Sequence, residues 1–155
     1  MTFQISGLPA SLFSHLDGKS ESELRALGVE TVIADAEPGF PCRVSLRDAK
    51  VGERLFLLNH EHQDADTPYR SRHAIFVGEG AQQAHLAVTE IPEQLRRRLL
   101  SIRAFDARGM MLDADIAEGT EAEPLIRRLL DNPWAAYLHV HFARRGCYAA
   151  RVERA

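Results

Sequence analysis

The chain has 155 residues, 45% hydrophobic and 26% charged, with 19 basic against 22 acidic side chains and two cysteines. That length fits one domain, residues 1–155, with its own core, since roughly 100–200 residues per domain is usual, and a net charge of −3 disfavours nucleic acid, which needs a basic face. No apolar run approaches the ~20 residues of a membrane span, the start lacks a secretory signal's basic and apolar blocks, and two cysteines make no disulfide scaffold, so no membrane partner and a reducing, cytoplasmic setting are expected.

Pro9 to Leu16 can make a helical turn. Ser20-Glu21-Ser22-Glu23 is a capping box, followed by Leu24, Leu27 and the stop Gly28, so a short helix is expected over 21–27. Val29 to Ala34 is β-branched enough for a strand, broken by Glu37-Pro38-Gly39-Phe40-Pro41, and Cys42 to Leu46 resumes an extended run. Arg54 to Leu58 and His73 to Val77 are apolar enough for strands inside a sheet. Between them, Asn59 to Arg72 reads as a polar connection, a length more often functional or mobile than a tight turn. Glu93 to Leu99 is expected to be a short helix, with Arg96-Arg97-Arg98 as its solvated face. Ser101 to Phe105 and Met110 to Ala114 form an expected hairpin about Asp106-Ala107-Arg108-Gly109. Thr120-Glu121-Ala122-Glu123 is a second capping box, opening a helix through Leu130 that stops at Asn132-Pro133. The fold class is therefore α+β: a single domain with a largely antiparallel sheet and a few short helices.

The last two segments carry the best-defined chemistry. Tyr137 to Phe142 and Cys147 to Val152 both alternate, and Arg144-Arg145-Gly146 suits a three-residue loop with Gly146 in the left-handed region. That register sets His141 opposite Ala149, His139 opposite Arg151 and Phe142 opposite Tyr148, giving one apolar face and one carrying Tyr137, His139, His141 and Cys147. A divalent metal such as zinc would then use His139, His141 and Cys147, with His73 as a fourth ligand. A nucleophilic site would pair Cys147 with His141 as base. The plainer alternative is a half-exposed sheet face with structural histidines and Cys147 as a small buried filler.

Other motifs are weaker. His60 and His62 could bind a metal or act in a lid, but a solvated loop is the plainer reading, and their spacing is not that of H-E-x-x-H. Asp64/Asp66 and Asp113/Asp115 fail the calcium-loop pattern, and Gly78-Glu79-Gly80 lacks the third glycine of a dinucleotide fingerprint. Of the 19 basic residues only Lys19 and Lys50 are lysines. Arg103 and Arg43, each mid-strand by pattern, need a carboxylate partner or an anionic ligand, and Arg72 and Tyr69 join them as binding candidates.

Cys42-Arg43-Val44-Ser45-Leu46-Arg47-Asp48-Ala49, Pro68 to Val77, Leu100 to Phe105, and His139-Val140-His141 through Gly146 to Val152 together resemble a bacterial family, domain of unknown function 1203, from about Phe3 to the C-terminus. The resemblance implies no activity, cofactor or catalytic residue. Phe142 stands where it leads one to expect asparagine, which would remove a polar group near His141. Two functions follow from the residues: a small-molecule- or metal-binding protein or enzyme, with a small anionic ligand held in a His/Cys/Arg pocket on the last hairpin, or a non-catalytic interaction module with structural histidines.

Overall fold

A computed structural model describes residues 1–155 as an α+β domain of two antiparallel sheets. In chain order the elements are β1 (Phe3–Ser6), α1 (Glu21–Ala26), β2 (Glu30–Ile33), β3 (Arg54–Gln63), β4 (Ser71–Gly78), α2 (Glu93–Arg96), β5 (Leu99–Phe105), β6 (Met111–Glu118), α3 (Ala122–Leu130), β7 (Tyr137–Phe142) and β8 (Tyr148–Arg154). The larger sheet runs β1-β8-β7-β5-β6 and the smaller β2-β3-β4. No helix is long and apolar enough to cross a membrane.

Alternation gives the larger sheet two unlike faces. Leu100, Ile102 and Ala104 of β5, Leu138 and Val140 of β7, and Ala150 and Val152 of β8 turn one way and are sealed by Leu125, Ile126, Leu129 and Leu130 of α3. The opposite edge of α3 is tied down by charge: Arg127 reaches Glu123 one turn back, and Arg128 reaches Asp113 and Asp115 on β6. The other sheet face carries Ser101, Arg103 and Phe105 opposite His141, His139 and Tyr137. The smaller sheet covers part of that face, its own core being Phe56, Ile75 and Val77 against Phe13, Leu16, Leu24 and Val29.

The first capping box forms as expected: Ser20 Oγ accepts from the Glu23 amide while Glu23 accepts from the Ser20 amide. The second does not. Gly119–Glu121 is already a 3-10 turn, so Thr120 lies inside helical backbone and caps nothing. Cys42 to Leu46 is not a strand either; Leu46 closes a turn onto the Cys42 carbonyl with φ at +54°.

Two further corrections bear on the site. Half of the stretch 59–72 is sheet: β3 runs to Gln63 and β4 begins at Ser71, leaving 64–70 as loop. That loop is docked, with Thr67 donating to the Gly109 carbonyl and Ala65 packed where a Gly109 Cβ would stand. In the last hairpin the turn closes one residue earlier than expected, Phe142 N donating to Cys147 O and Gly146 N to Phe142 O, with Gly146 at φ +80°. His141 therefore pairs with Tyr148, and a bulge at Ala149 restores the expected pairs Val140↔Ala150, His139↔Arg151 and Leu138↔Val152. The extra residue exchanges Cys147 and Tyr148 between faces.

Candidate metal centre

Period-two alternation on β7 puts His139 and His141 on the face turned toward the smaller sheet. His62 comes from β3, where a second bulge between Glu61 and Gln63 breaks the ladder and turns both His62 and Gln63 toward the larger sheet. Gln63 donates to the Tyr137 hydroxyl at 3.0 Å, pinning the end of β3 across β7. Tyr148 supplies the remaining wall: its ring stacks on His62 at 5.6 Å and meets His139 and His141 edge-on. One ring nitrogen from each of His62, His139 and His141 lies within 4.8 Å of the others.

Burial sets the electrostatics. His139 and His141 are 3% and 1% exposed, and their protonation is pushed down to about 3 in each, chiefly by loss of solvent. Neighbouring basic groups add to this, since a proton on one disfavours a proton on the next: His141, Arg151 and His62 act on His139, and Arg103, His62 and His73 on His141, where a bond to the Gly146 carbonyl partly opposes the shift. His62 falls to about 4 for the same leading reason, with His60 and Arg103 contributing. All three rings are neutral near pH 7, the form in which imidazole binds metal. His141 Nδ1 lies 2.9 Å from the Gly146 carbonyl; donating there, it leaves Nε2 as the lone-pair nitrogen. Buried His62 Nδ1 and His139 Nδ1 have no hydrogen-bond partner.

Arg103 stands beside His139 in the β5–β7 ladder. Its Nε donates to Ser101 Oγ at 3.3 Å and its guanidinium makes no ion pair, while burial lowers its pKa. Of the two partners considered for this arginine, the carboxylate is therefore not present. Arg151, by contrast, is paired with Glu153 at 2.7 Å and lies over the Tyr137 ring.

The other candidates go elsewhere. Cys147, on the exchanged face, packs in the apolar core with Phe142 and accepts from Arg43 Nη2 at 2.9 Å, so it lies outside the cluster, and His62 stands where Cys147 was expected beside His139 and His141. Arg43 is buried among carbonyls on that same far side, within cation–π distance of Phe142. Phe142 therefore sits between Arg43 and Arg98, and no polar group is lost from the vicinity of His141. Arg72 is spent on Asn59 and Glu61, and Tyr69 packs edge-on against Phe105 at the surface. His73 pairs with His60 on the smaller sheet, its Nδ1 at the Ala74 carbonyl and outside the cluster. The Arg96-Arg97-Arg98 run is only partly a solvated face, because Asp48, whose side chain is 3% exposed, holds both Arg97 and Arg98.

Sequence reasoning missed Tyr148 and placed His62 in a loop. The available signal was the alternation His60-Glu61-His62 continuing the strand Arg54 to Leu58, which polarity disguised.

No curated protein and no solved structure gives a significant match to the chain. The family model described as protein of unknown function (DUF1203) matches residues 39–154, a span that holds all three histidines, Tyr148 and Arg103, and the chain belongs to that family.

Proposed function

We propose that the protein binds a divalent first-row metal, zinc by its ligand chemistry, through His62, His139 and His141, and holds a small anionic ligand against it with Arg103. One observation carries this: three neutral imidazoles from two different sheets converge within 4.8 Å, two of them with a buried ring nitrogen that nothing else satisfies. Three protein ligands with a fourth position open is the pattern of reactive zinc sites. Such an ion supplies Lewis-acid polarisation of a bound oxygen or an activated water. Arg103, without a carboxylate of its own, orients a carboxylate or phosphate oxygen toward that position. Tetrahedral zinc wants nitrogens about 3.3 Å apart, so no pair of rings has to close by more than about 1.5 Å on binding.

A second reading has its own support. Edge strand β6 leaves Ile116 60% exposed and Leu112 39% exposed, as an interaction module with structural histidines would.

Zinc titration by calorimetry into tag-free, chelator-treated protein separates the two. One ion per chain is expected, with affinity lowered at least a hundredfold in His62→Gln, beyond what loss of a supporting partner alone costs, about 10–100-fold. Binding no tighter in the parent than in that variant refutes the metal reading and leaves the module.

A further inference from the structure

The far side of the β7–β8 hairpin holds a cavity of about 430 Å³ that the histidine cluster does not use. Arg43 and Cys147, 1% and 6% exposed, form its floor. Phe40, Phe76 and Phe142 give it apolar walls, and exposed Arg144 and Arg145 stand at its rim. Arg43 is the unusual member. Its Nε donates to the Tyr148 carbonyl at 2.7 Å, Nη1 to the Pro41 carbonyl at 2.6 Å and Nη2 to Cys147 Sγ at 2.9 Å, and no carboxylate reaches it. A buried guanidinium without an acid partner is costly, and desolvation draws its pKa down to about 10.

The other cations divide into two groups. Arg97 and Arg98 also line the cavity, but Asp48 takes up both, at 3.6 and 2.6 Å. Arg144 and Arg145 make no ion pair, and Glu118 is the one acid in the lining. Three unneutralised arginines against one carboxylate leave a positive field inside a low-dielectric, aromatic-walled recess, where attraction for an anion is strengthened.

We infer that this cavity is a binding site for a small organic oxyanion, a carboxylate or phosphate on an apolar body, with the charged end among Arg43, Arg144 and Arg145 and the body on Phe40, Phe76 and Phe142. The site is independent of the metal reading, because the bulge at Ala149 turns Cys147 and the histidines to opposite faces. It also gives Cys147 a role as a reporter: a ligand over the floor shields the thiol.

Phenyl phosphate and benzoate serve as probes, with benzyl alcohol as the neutral control, in calorimetric titrations of the full metal-free chain. One anion per chain is expected, bound more weakly as salt rises, with benzyl alcohol silent. Saturating probe should slow iodoacetamide alkylation of Cys147 and leave that of Cys42 unchanged, as followed by mass spectrometry. The surface double variant Arg144→Ala/Arg145→Ala, which removes no buried contact, should weaken binding about tenfold, the scale of a charge-assisted contact. If one probe binds and the other does not, that identifies phosphate or carboxylate as the group recognised. Failure of both at millimolar concentration, equal binding of benzyl alcohol, or loss of binding in Arg103→Ala with none in the double variant would overturn the inference.

Discussion

Acid should unfold the metal-free protein through its histidines before its carboxylates are protonated. His139 and His141 have folded-state pKa values pushed down to about 3, against about 6.5 in the unfolded chain. For a basic group lowered in this way the unfolded state binds the proton more readily, so stability is fully present above the unfolded value and drains away as pH falls toward the folded one. Between pH 7 and pH 5 linkage gives about 2 kcal/mol for each buried ring, hence about 4 kcal/mol for the pair. His62 adds a smaller share, because it is only partly buried and solvent screens it. Set against a typical total of about 5–15 kcal/mol, that loss is large. Urea denaturation at the two pH values reads it directly as a fall in midpoint. The variant His139→Phe keeps a ring against Phe105 and Tyr148 while removing one proton site, so it should lose roughly half of the pair's pH dependence at little cost at pH 7. A midpoint change worth under about 1 kcal/mol, or a His139→Phe slope equal to the parent's, would refute the reasoning, because the linked protons would then lie elsewhere.

Two stability predictions rest on single positions. A Cβ at Gly119 would stand 1.9 Å from the Leu95 carbonyl oxygen and 2.7 Å from the Arg96 backbone, so Gly119→Ala must push α2 from the start of α3; about 3 kcal/mol or more is expected, read as a lowered urea midpoint. Asp48→Asn removes the charge that Arg98 grips through both carboxylate oxygens and that Arg97 also approaches. About 3 kcal/mol is expected, the low end for a broken buried pair because Arg98 keeps some solvent, and a melting temperature unchanged within error would show the pair to be dispensable.

The sequence made some features legible because they are local. Ser20 and Glu23 complete their box within four residues, Gly146 must supply a left-handed turn, and strict alternation in Tyr137 to Phe142 commits His139 and His141 to one face. The site's other half depended on non-local facts. Whether β3 continued past Leu58 was settled by pairing with β4 and by the dock of Gln63 on Tyr137, since residues as polar as Asn59 to Gln63 have no apolar pattern to announce a strand. The bulge at Ala149 was equally hidden. A one-residue slip costs little in a small-residue run such as Ala149-Ala150, where either residue can face the core, yet it decides whether a thiol or a phenol stands beside the imidazoles.

That slip also gives the hairpin two unlike faces. With Tyr148 toward the histidines and Cys147 toward Arg43, each face receives what the other would be harmed by: the rings gain an aromatic wall that keeps them dry and neutral, and the guanidinium gains a polarisable acceptor in an otherwise uncharged nest. Neither arrangement is what stability alone would select. Unpartnered His62 Nδ1 and His139 Nδ1 cost about 1–3 kcal/mol each, and phenylalanine at those positions would avoid the loss. These costs fall where the end of β3 meets β7, and under the metal reading proposed above an ion held by the three imidazoles would offset them.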